Sequence, residues 1–340
     1  MEQLHTVQAR MPEFKPTMEN RWKQTKAYEF QFVVITRSTP PRNQYNYLVR
    51  TVLKLATAVD QDPDVAIVVL NVGEEDSQIR RISELVPVKQ IHENRVENVT
   101  ISHEKYLGKQ LQDYATALGL CAESRALYCC ILEDDVIVSS HLLVTLRILL
   151  ARIQSRHGDV GGWGMLKMYY KEAWMGYATE VWYEPIFIGV GSGTTTFLLC
   201  FLLLRRRDRV VVRTAFKALC MALPAGTLCV LFSYLVGRPN LLQLRKAIPW
   251  LHAAVSPAPT AITAGILYPK GTAGELREYM LNLLRNGSIL ASDLAVGEFM
   301  TVRHLATYLA VPNLLDHIGF VSTNLMKVRS HKEHFGVWIP

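Results

Sequence analysis

Three acids in succession, Glu133-Asp134-Asp135, close the apolar run from Tyr128 to Leu132, and a β-branched run from Val136 to Val138 follows them. A short apolar run bounded by polar residues reads as a buried strand, and here the strand stops where the acids begin. Adjacent carboxylates repel, so a strand end tolerates three only where solvent or a cation neutralises them. Hard oxygen ligands suit magnesium or manganese, and such sites leave positions open for substrate phosphates. The pattern therefore points to a divalent metal holding a nucleotide diphosphate at the carboxyl end of a central strand. The competing reading is an acidic loop in which one Asp caps the helix that begins near Ser139 or Ser140.

The elements needed to position these acids are legible around them. Ala27 to Thr36 carries β-branched and aromatic residues and reads as a first strand, followed by a polar loop, Arg37 to Asn43. Tyr47, Leu48, Val52, Leu53 and Leu55 recur at helical spacing, which predicts a helix to about Val59. Asp64 to Asn71 is a second buried strand, followed by an acidic loop and a helix through Leu85. Tyr106 to Cys121 and His141 to Ile153 are further helices on either side of the acid-tipped strand. Strands alternating with helices predict an α/β doubly wound, Rossmann-like sheet, and such sheets bind ligands beyond the carboxyl ends of their strands.

Composition narrows the class. Of 340 residues, 49% are apolar and only 20% charged, with a mean hydropathy of +0.11, so hydrophobic sequence is concentrated somewhere. It lies in two uncharged runs of 19 residues, Ile186 to Leu204 and Ala218 to Val236, each long enough to cross a bilayer core. Buried core helices are the alternative, but two such runs flanking a cluster of arginines favour a membrane hairpin. Pro224 and Gly226 are tolerable inside a membrane helix. Between the runs, six basic residues stand against Asp208, a net +5 that leaves only +2 of the chain's +7 for the remainder. No basic surface is left to argue for nucleic acid. A short basic loop faces the cytosol under the positive-inside rule, which puts both flanks on the lumenal side. Two glycosylation sequons, at Asn98 and Asn286, fall one in each flank.

Met1 to Lys26 is polar and has no apolar core of a signal peptide, so an upstream signal anchor is expected beyond this sequence. The six cysteines make no CxxC pair or zinc-spaced cluster. Cys200, Cys220 and Cys229 sit in apolar stretches, and among Cys121, Cys129 and Cys130 one disulfide is possible without its pairing being deducible. After the hairpin, Ala261 to Tyr268 reads as a strand that rejoins the sheet, Gly274 to Leu284 as a helix, and Leu294 to Leu309 as a helix preceded by Asp293. Neither flank alone has enough strands for a stable sheet. The expected organisation is a polar segment 1–27, a first part of one domain 28–185, a membrane hairpin 186–236 and the second part of that domain 237–340.

Glu133-Asp134-Asp135 at a strand end, the segment Trp163-Gly-Met-Leu-Lys-Met-Tyr-Tyr170, the inserted hairpin and the closing Pro312-Asn-Leu-Leu-Asp-His317-Ile-Gly319 resemble the Golgi GPI-anchor GalNAc transferase family. The resemblance covers about residues 28 to 340, and the hairpin's position is its most discriminating feature. It implies a GT-A glycosyltransferase domain split by a tandem transmembrane pair, in the Golgi membrane with the catalytic domain lumenal. It also implies GalNAc transfer from UDP-GalNAc to the first mannose of GPI glycans on GPI-anchored proteins. Tyr47-Leu48 with Thr51, and the closing motif, are also similar to the N-acetylglucosaminyl branching transferases, so a UDP-GlcNAc donor is the alternative.

The resemblance implies roles for particular residues. Uracil and ribose would lie near Thr36 and Arg37. Lys109 and Asp113, one helical turn apart, would touch ribose or phosphate, with a surface salt bridge as the other reading. Asp135 is the first choice for direct manganese (or magnesium) coordination, Asp134 and Glu133 would hold ribose or a metal-bound water, and His317 fits a late ligand, although a His beside Asp316 is equally a structural residue. Inversion at the anomeric carbon requires a base, for which Asp293 and Glu298 are the candidates. An ionised Asp293 at a helix start suits that task, and a plain N-cap is the competing reading. Trp163, Lys167, Tyr169, Tyr170 and Trp174 crowd a region that either stacks on sugar faces or belongs to the core. Two rivals stand outside this class: a non-catalytic scaffold that binds GPI-anchored proteins, and a channel subunit, which two spans without intramembrane charge make a poor fit.

Overall fold

In the computed structural model the described residues are 11–23, 26–37, 45–59, 62–91, 103–157, 162–170, 183–206, 210–236, 246–258 and 263–319. The chain divides into two compact units, one drawn from Met1–Tyr170 and Ile248–His334, the other holding the two apolar helices.

The first unit is built on an eight-stranded sheet. In chain order its elements are helix α1 (Met11–Lys23), strand β1 (Tyr28–Thr36), α2 (Tyr47–Val59), β2 (Val65–Asn71), α3 (Ser77–Ser83) and β3 (Val88–Gln90). Then come α4 (His103–Glu123), β4 (Ala126–Glu133), β5 (Val136–Val138), α5 (Leu142–His157) and β6 (Trp163–Lys167). Past the apolar pair lie β7 (Ala253–Val255), β8 (Gly265–Pro269), α8 (Lys270–Arg285), α9 (Ser292–Val302), β9 (Ala306–Val311) and β10 (Leu315–His317). The strand order is β3-β2-β1-β4-β8-β6-β9-β7, while β5 and β10 form a separate two-stranded ladder. Strands before and after the apolar pair thus share one sheet, with β8 inserted between β4 and β6.

Every residue of β2 is buried, as are seven of the nine in β1. Val, Ile, Leu and Phe dominate both strands, with Gln31 and Asn71 among the buried polar exceptions, as expected of strands covered on both faces. The expected α/β sheet is present, parallel in its first half and mixed beyond it. β1 to β4 run parallel, β8 is antiparallel to both neighbours, and β7 is antiparallel to β9. The helix expected over Leu294 to Leu309 stops at Val302. His304 takes a φ of 51°, the left-handed region that breaks a helix, and Ala306–Val311 continues as β9. Met11–Lys23, read as polar sequence, is a helix whose Phe14 and Met18 are buried in the core. Cys121, near the end of α4, is disulfide-bonded to Cys129 in β4, and Cys130 is a buried free thiol.

The second unit comprises α6 (Tyr183–Arg205) and α7 (Val211–Val236), each long and apolar enough to cross a membrane. Only 6% and 17% of their most apolar windows are buried, which sets aside the reading of them as soluble core helices. Small residues let the two backbones meet: a Cβ on Gly226 would lie 2.8 Å from the Gly189 carbonyl oxygen. The opposite faces present Phe187, Leu199, Leu203, Phe216, Leu223 and Leu235, all exposed.

Candidate active site

β1, β4, β6 and β9 point the same way, so their carboxyl ends, Thr36, Glu133, Lys167 and Val311, lie along one edge of the sheet. Thr36, the acid triplet and the segment that carries His317 meet there.

The acid triplet occupies the turn between β4 and β5. Thr36 Oγ1 donates to Asp134 Oδ2 at 2.6 Å. Thr51 Oγ1, fully buried in α2, lies 2.7 Å from the carbonyl oxygens of Asp134 and of Val136. Asp134 is thereby turned into the protein, only 7% exposed, and holds the turn in place. Glu133 and Asp135 turn the other way, toward the closing segment. His317 ends β10 and pairs in register with Val136, which brings its Nε2 to 3.2 Å from Asp135 Oδ1 and 3.8 Å from Glu133 Oε2. One ligand atom from each of Glu133, Asp135 and His317 falls within 4.8 Å of the others. Thr263 Oγ1 donates to the second Glu133 oxygen at 3.2 Å, and the Ile318 amide donates to the Asp135 carbonyl at 2.8 Å.

The electrostatics match a cation seat. Burial by itself would lower the pKa of His317, but the Asp135 and Glu133 carboxylates outweigh it and raise the imidazole to about 10. In this arrangement the proton of His317 serves as the positive charge that the two acids require. Gly319 then passes so close that a Cβ there would fall on Asp135 Oδ2 and within 3.2 Å of His317 Cε1.

The segment that carries His317 is stitched to the end of β6. Asn313 accepts from the Tyr170 amide at 3.0 Å and donates to the Tyr170 carbonyl at 2.9 Å, while the Leu314 amide donates to the Met168 carbonyl. Tyr169 is left half-buried with its ring 5.7 Å from that of His317. Of the aromatic group expected to stack on sugars, Tyr169 alone among the described residues is so placed. Trp163 is buried at the opposite end of β6 against Tyr128, and Tyr170 is buried behind Asn313. Trp163 belongs to the apolar core, against which Tyr169 also packs in part, while Tyr170 is buried and held by its backbone to Asn313. Lys167 is also buried and is no stacking surface. Trp174, and the sequon asparagine Asn98, lie outside the described residues.

Next to Thr36, Arg37 pairs with Asp113 at 2.8 Å and lies over the Tyr106 ring at 5.9 Å. Burial raises the pKa of Asp113 against the pull of Arg37 and Lys109. Burial, followed by the like charge of Arg37, lowers that of Lys109. The cluster is a salt bridge with one surplus positive charge one residue beyond Thr36, suited to a phosphate or a ribose. Asp293 lies in the first turn of α9 but is not its N-cap, which is Ala291. The side chain accepts from the Leu294 amide at 2.9 Å. Glu298 is exposed and adjoins Tyr279 on α8, whose pKa is raised to about 12 by burial and then by a hydrogen bond to Glu298. Glu298 thus sits against α8 on the exposed side of α9. Asn286 caps the carboxyl end of α8 and is exposed.

Sequence reasoning missed the parts that hold this site together. Asn313 and Gly319 stood in the closing motif without assigned tasks, and Thr263 was not singled out. Their roles depend on partners far away in the chain, with 143 residues between Asn313 and Tyr170 and 130 between Thr263 and Glu133.

The model of one protein family, described as GPI-N-acetylgalactosamine transferase PGAP4, matches residues 30–316. Two solved structures are similar in part. One is mouse xyloside xylosyltransferase 1 in its apo form, at 10% identity over 82% of this chain and 84% of that one, with a TM-score of 0.32. The other is S. aureus TarS 1–349, at 18% identity over 42% of this chain and a TM-score of 0.28; the match spans 36% of the TarS chain.

Proposed function

The chain belongs to the GPI-N-acetylgalactosamine transferase family, and from that membership we propose that it transfers GalNAc from UDP-GalNAc to the first mannose of the GPI glycan on GPI-anchored proteins. The observation that carries this reading is the Glu133, Asp135 and His317 cluster at the carboxyl edge of the sheet.

Two carboxylates and an imidazole fit a divalent cation, and the nitrogen ligand favours manganese over magnesium. When bound, such a cation supplies positive charge against the diphosphate that leaves with the nucleotide. Arg37, steadied by Asp113, and Lys109 face the nucleotide side, and Thr36 with Asp134 forms the floor beneath it. Asp293 takes the proton from the attacking mannose hydroxyl, a step that suits an inverting displacement. Tyr169, beside His317, borders the space for the sugars.

We place the catalytic unit in the Golgi lumen, with α6 and α7 crossing the membrane and the short basic connection between them in the cytosol. Three features support this: the Cys121–Cys129 disulfide, which belongs to an oxidising compartment, the exposed sequon at Asn286, and the arginine cluster between two runs of bilayer length.

The test is hydrolysis and transfer by the full chain with a panel of UDP-sugars and manganese. UDP-GalNAc is expected to be the preferred donor. Preference for UDP-GlcNAc would move the chain to branching-type chemistry, and turnover of no donor would leave a scaffold.

A further inference from the structure

Lys167 ends β6 with 1% of its surface exposed, between Ile266 of β8 and Leu309 of β9. A lysine is rarely buried to this degree without an opposite charge, and the course of α9 across β6 supplies one. A Cβ on Gly164 would collide with the Met300 sulfur and lie 2.9 Å from Leu305 Cβ, so the carboxyl end of α9 rests on the start of β6. The register irregularity between Trp163 and Met165 leaves Trp163 and Leu166 together on the core face. Gly164 and Lys167 are left on the face that meets α9.

From Gly164 to Lys167 the strand advances about 10 Å, three residues at ~3.3 Å each. From Met300 back to Asp293 the helix retreats about 10 Å, seven residues at ~1.5 Å each. α9 turns through Leu305 into β9, which starts beside Trp163 and runs parallel to β6. With α9 leading back along β6, the two lengths agree with an Asp293 near Lys167. The electrostatics are consistent with this placement: burial lowers the Lys167 ammonium to about 8, and Asp293 pushes it back up. The other acids near this face are engaged elsewhere, Glu133 with Thr263 and His317, Asp113 with Arg37, and Glu298 with Tyr279. Glu133 lies two strands away through β8, about 10 Å across the sheet, which leaves room for the transferred hexose between the cluster and Asp293.

We propose that Lys167 is a positioning residue that holds the Asp293 carboxylate by charge at the acceptor side of the site, acting through Asp293 and not on the sugars. The proposal rests on Asp293 being the base, and the experiment separates the two. In the full chain, Lys167→Met, Lys167→Arg, Asp293→Asn and the Lys167→Met/Asp293→Asn pair are compared. The readouts are kcat and acceptor KM for transfer to a mannose-containing GPI glycan, manganese-dependent UDP binding, and Tm. Asp293→Asn should lower kcat by a factor on the order of 10²–10⁴. Lys167→Met should lower it about 10- to 100-fold, as misplacing a reacting group does, with UDP affinity and acceptor KM held. Lys167→Arg should recover part of the loss, and the double variant should be no slower than Asp293→Asn alone.

Wild-type kcat in Lys167→Met, a raised acceptor KM with kcat kept, or a double variant slowed by the product of the single effects would each overturn the proposal while leaving Asp293 in place. Normal transfer by Asp293→Asn would instead remove the base assignment beneath it. If Lys167→Met does not fold, Lys167→Gln, which retains polarity without charge, carries the same comparison.

Discussion

Substituting Gly319 by alanine perturbs the cluster without replacing any of its three residues. The added Cβ would fall on Asp135 Oδ2, 2.9 Å from its Cγ and 3.2 Å from His317 Cε1. Carbon atoms settle at about 3.5 Å, so the Asp135 carboxyl carbon must withdraw by at least about 0.6 Å and its oxygen further. It has little room to do so, because the Ile318 amide holds the Asp135 carbonyl and the pairing of Val136 with His317 holds both flanks. Displacing a ligand by this amount through its surroundings costs about 10- to 100-fold in metal affinity. Overpacking costs about 1–3 kcal/mol of stability, a shift of a few degrees in Tm. The assay is calorimetric titration of the purified full chain with manganese, with and without UDP, alongside a melting curve. Wild-type manganese affinity in Gly319→Ala would mean that the Ile318–Gly319 backbone yields and not the carboxylate, or that Asp135 does not hold the ion.

Three further outcomes follow from the same structure. The carboxylates hold His317 at about 10, above its ordinary 6.5, so in metal-free protein its contribution to stability is fully present below about pH 6.5 and is lost as pH rises toward 10. Melting curves of chelated protein should show that decline, and His317→Gln should lack it. Replacing Ile186–Val236 by a short linker should spare hydrolysis of UDP-GalNAc but depress transfer to membrane-borne GPI, and equal loss of both would make the helices a folding requirement. Asn286→Gln should increase gel mobility by one glycan when the chain is expressed in secretory cells, whereas unchanged mobility of a chain that carries no glycan at Asn286 would contradict a lumenal flank.

The legibility of this chain follows the range of the interactions involved. The acid-tipped strand was readable because an apolar run of strand length ends in charge, and α2 was readable because Leu48, Val52 and Leu55 share one face. Each signal is local. The different fates of three adjacent acids were not readable, since Thr36, 98 residues away, takes Asp134, while His317 takes Asp135. The aromatic segment around Tyr169 left two readings open for a related reason. Trp163 and Tyr170 are as apolar as any sugar platform, and only their burial in the folded chain sets them apart from one. Lys167 was misplaced because its burial depends on two strands and a helix from beyond the apolar pair. β9 was hidden in a run of helical spacing, Leu294 to Leu309, which the left-handed backbone of His304 interrupts.

The decisive property of this site is whether Glu133, Asp135 and His317 hold a cation that fastens the nucleotide. Titrating UDP into the full chain, with manganese and then with chelator, and repeating both with Asp135→Ala, measures this directly. Tight binding with manganese that disappears under chelation and in Asp135→Ala is the predicted result. Binding of equal strength in all four conditions, with Asp135→Ala still folded, would contradict it.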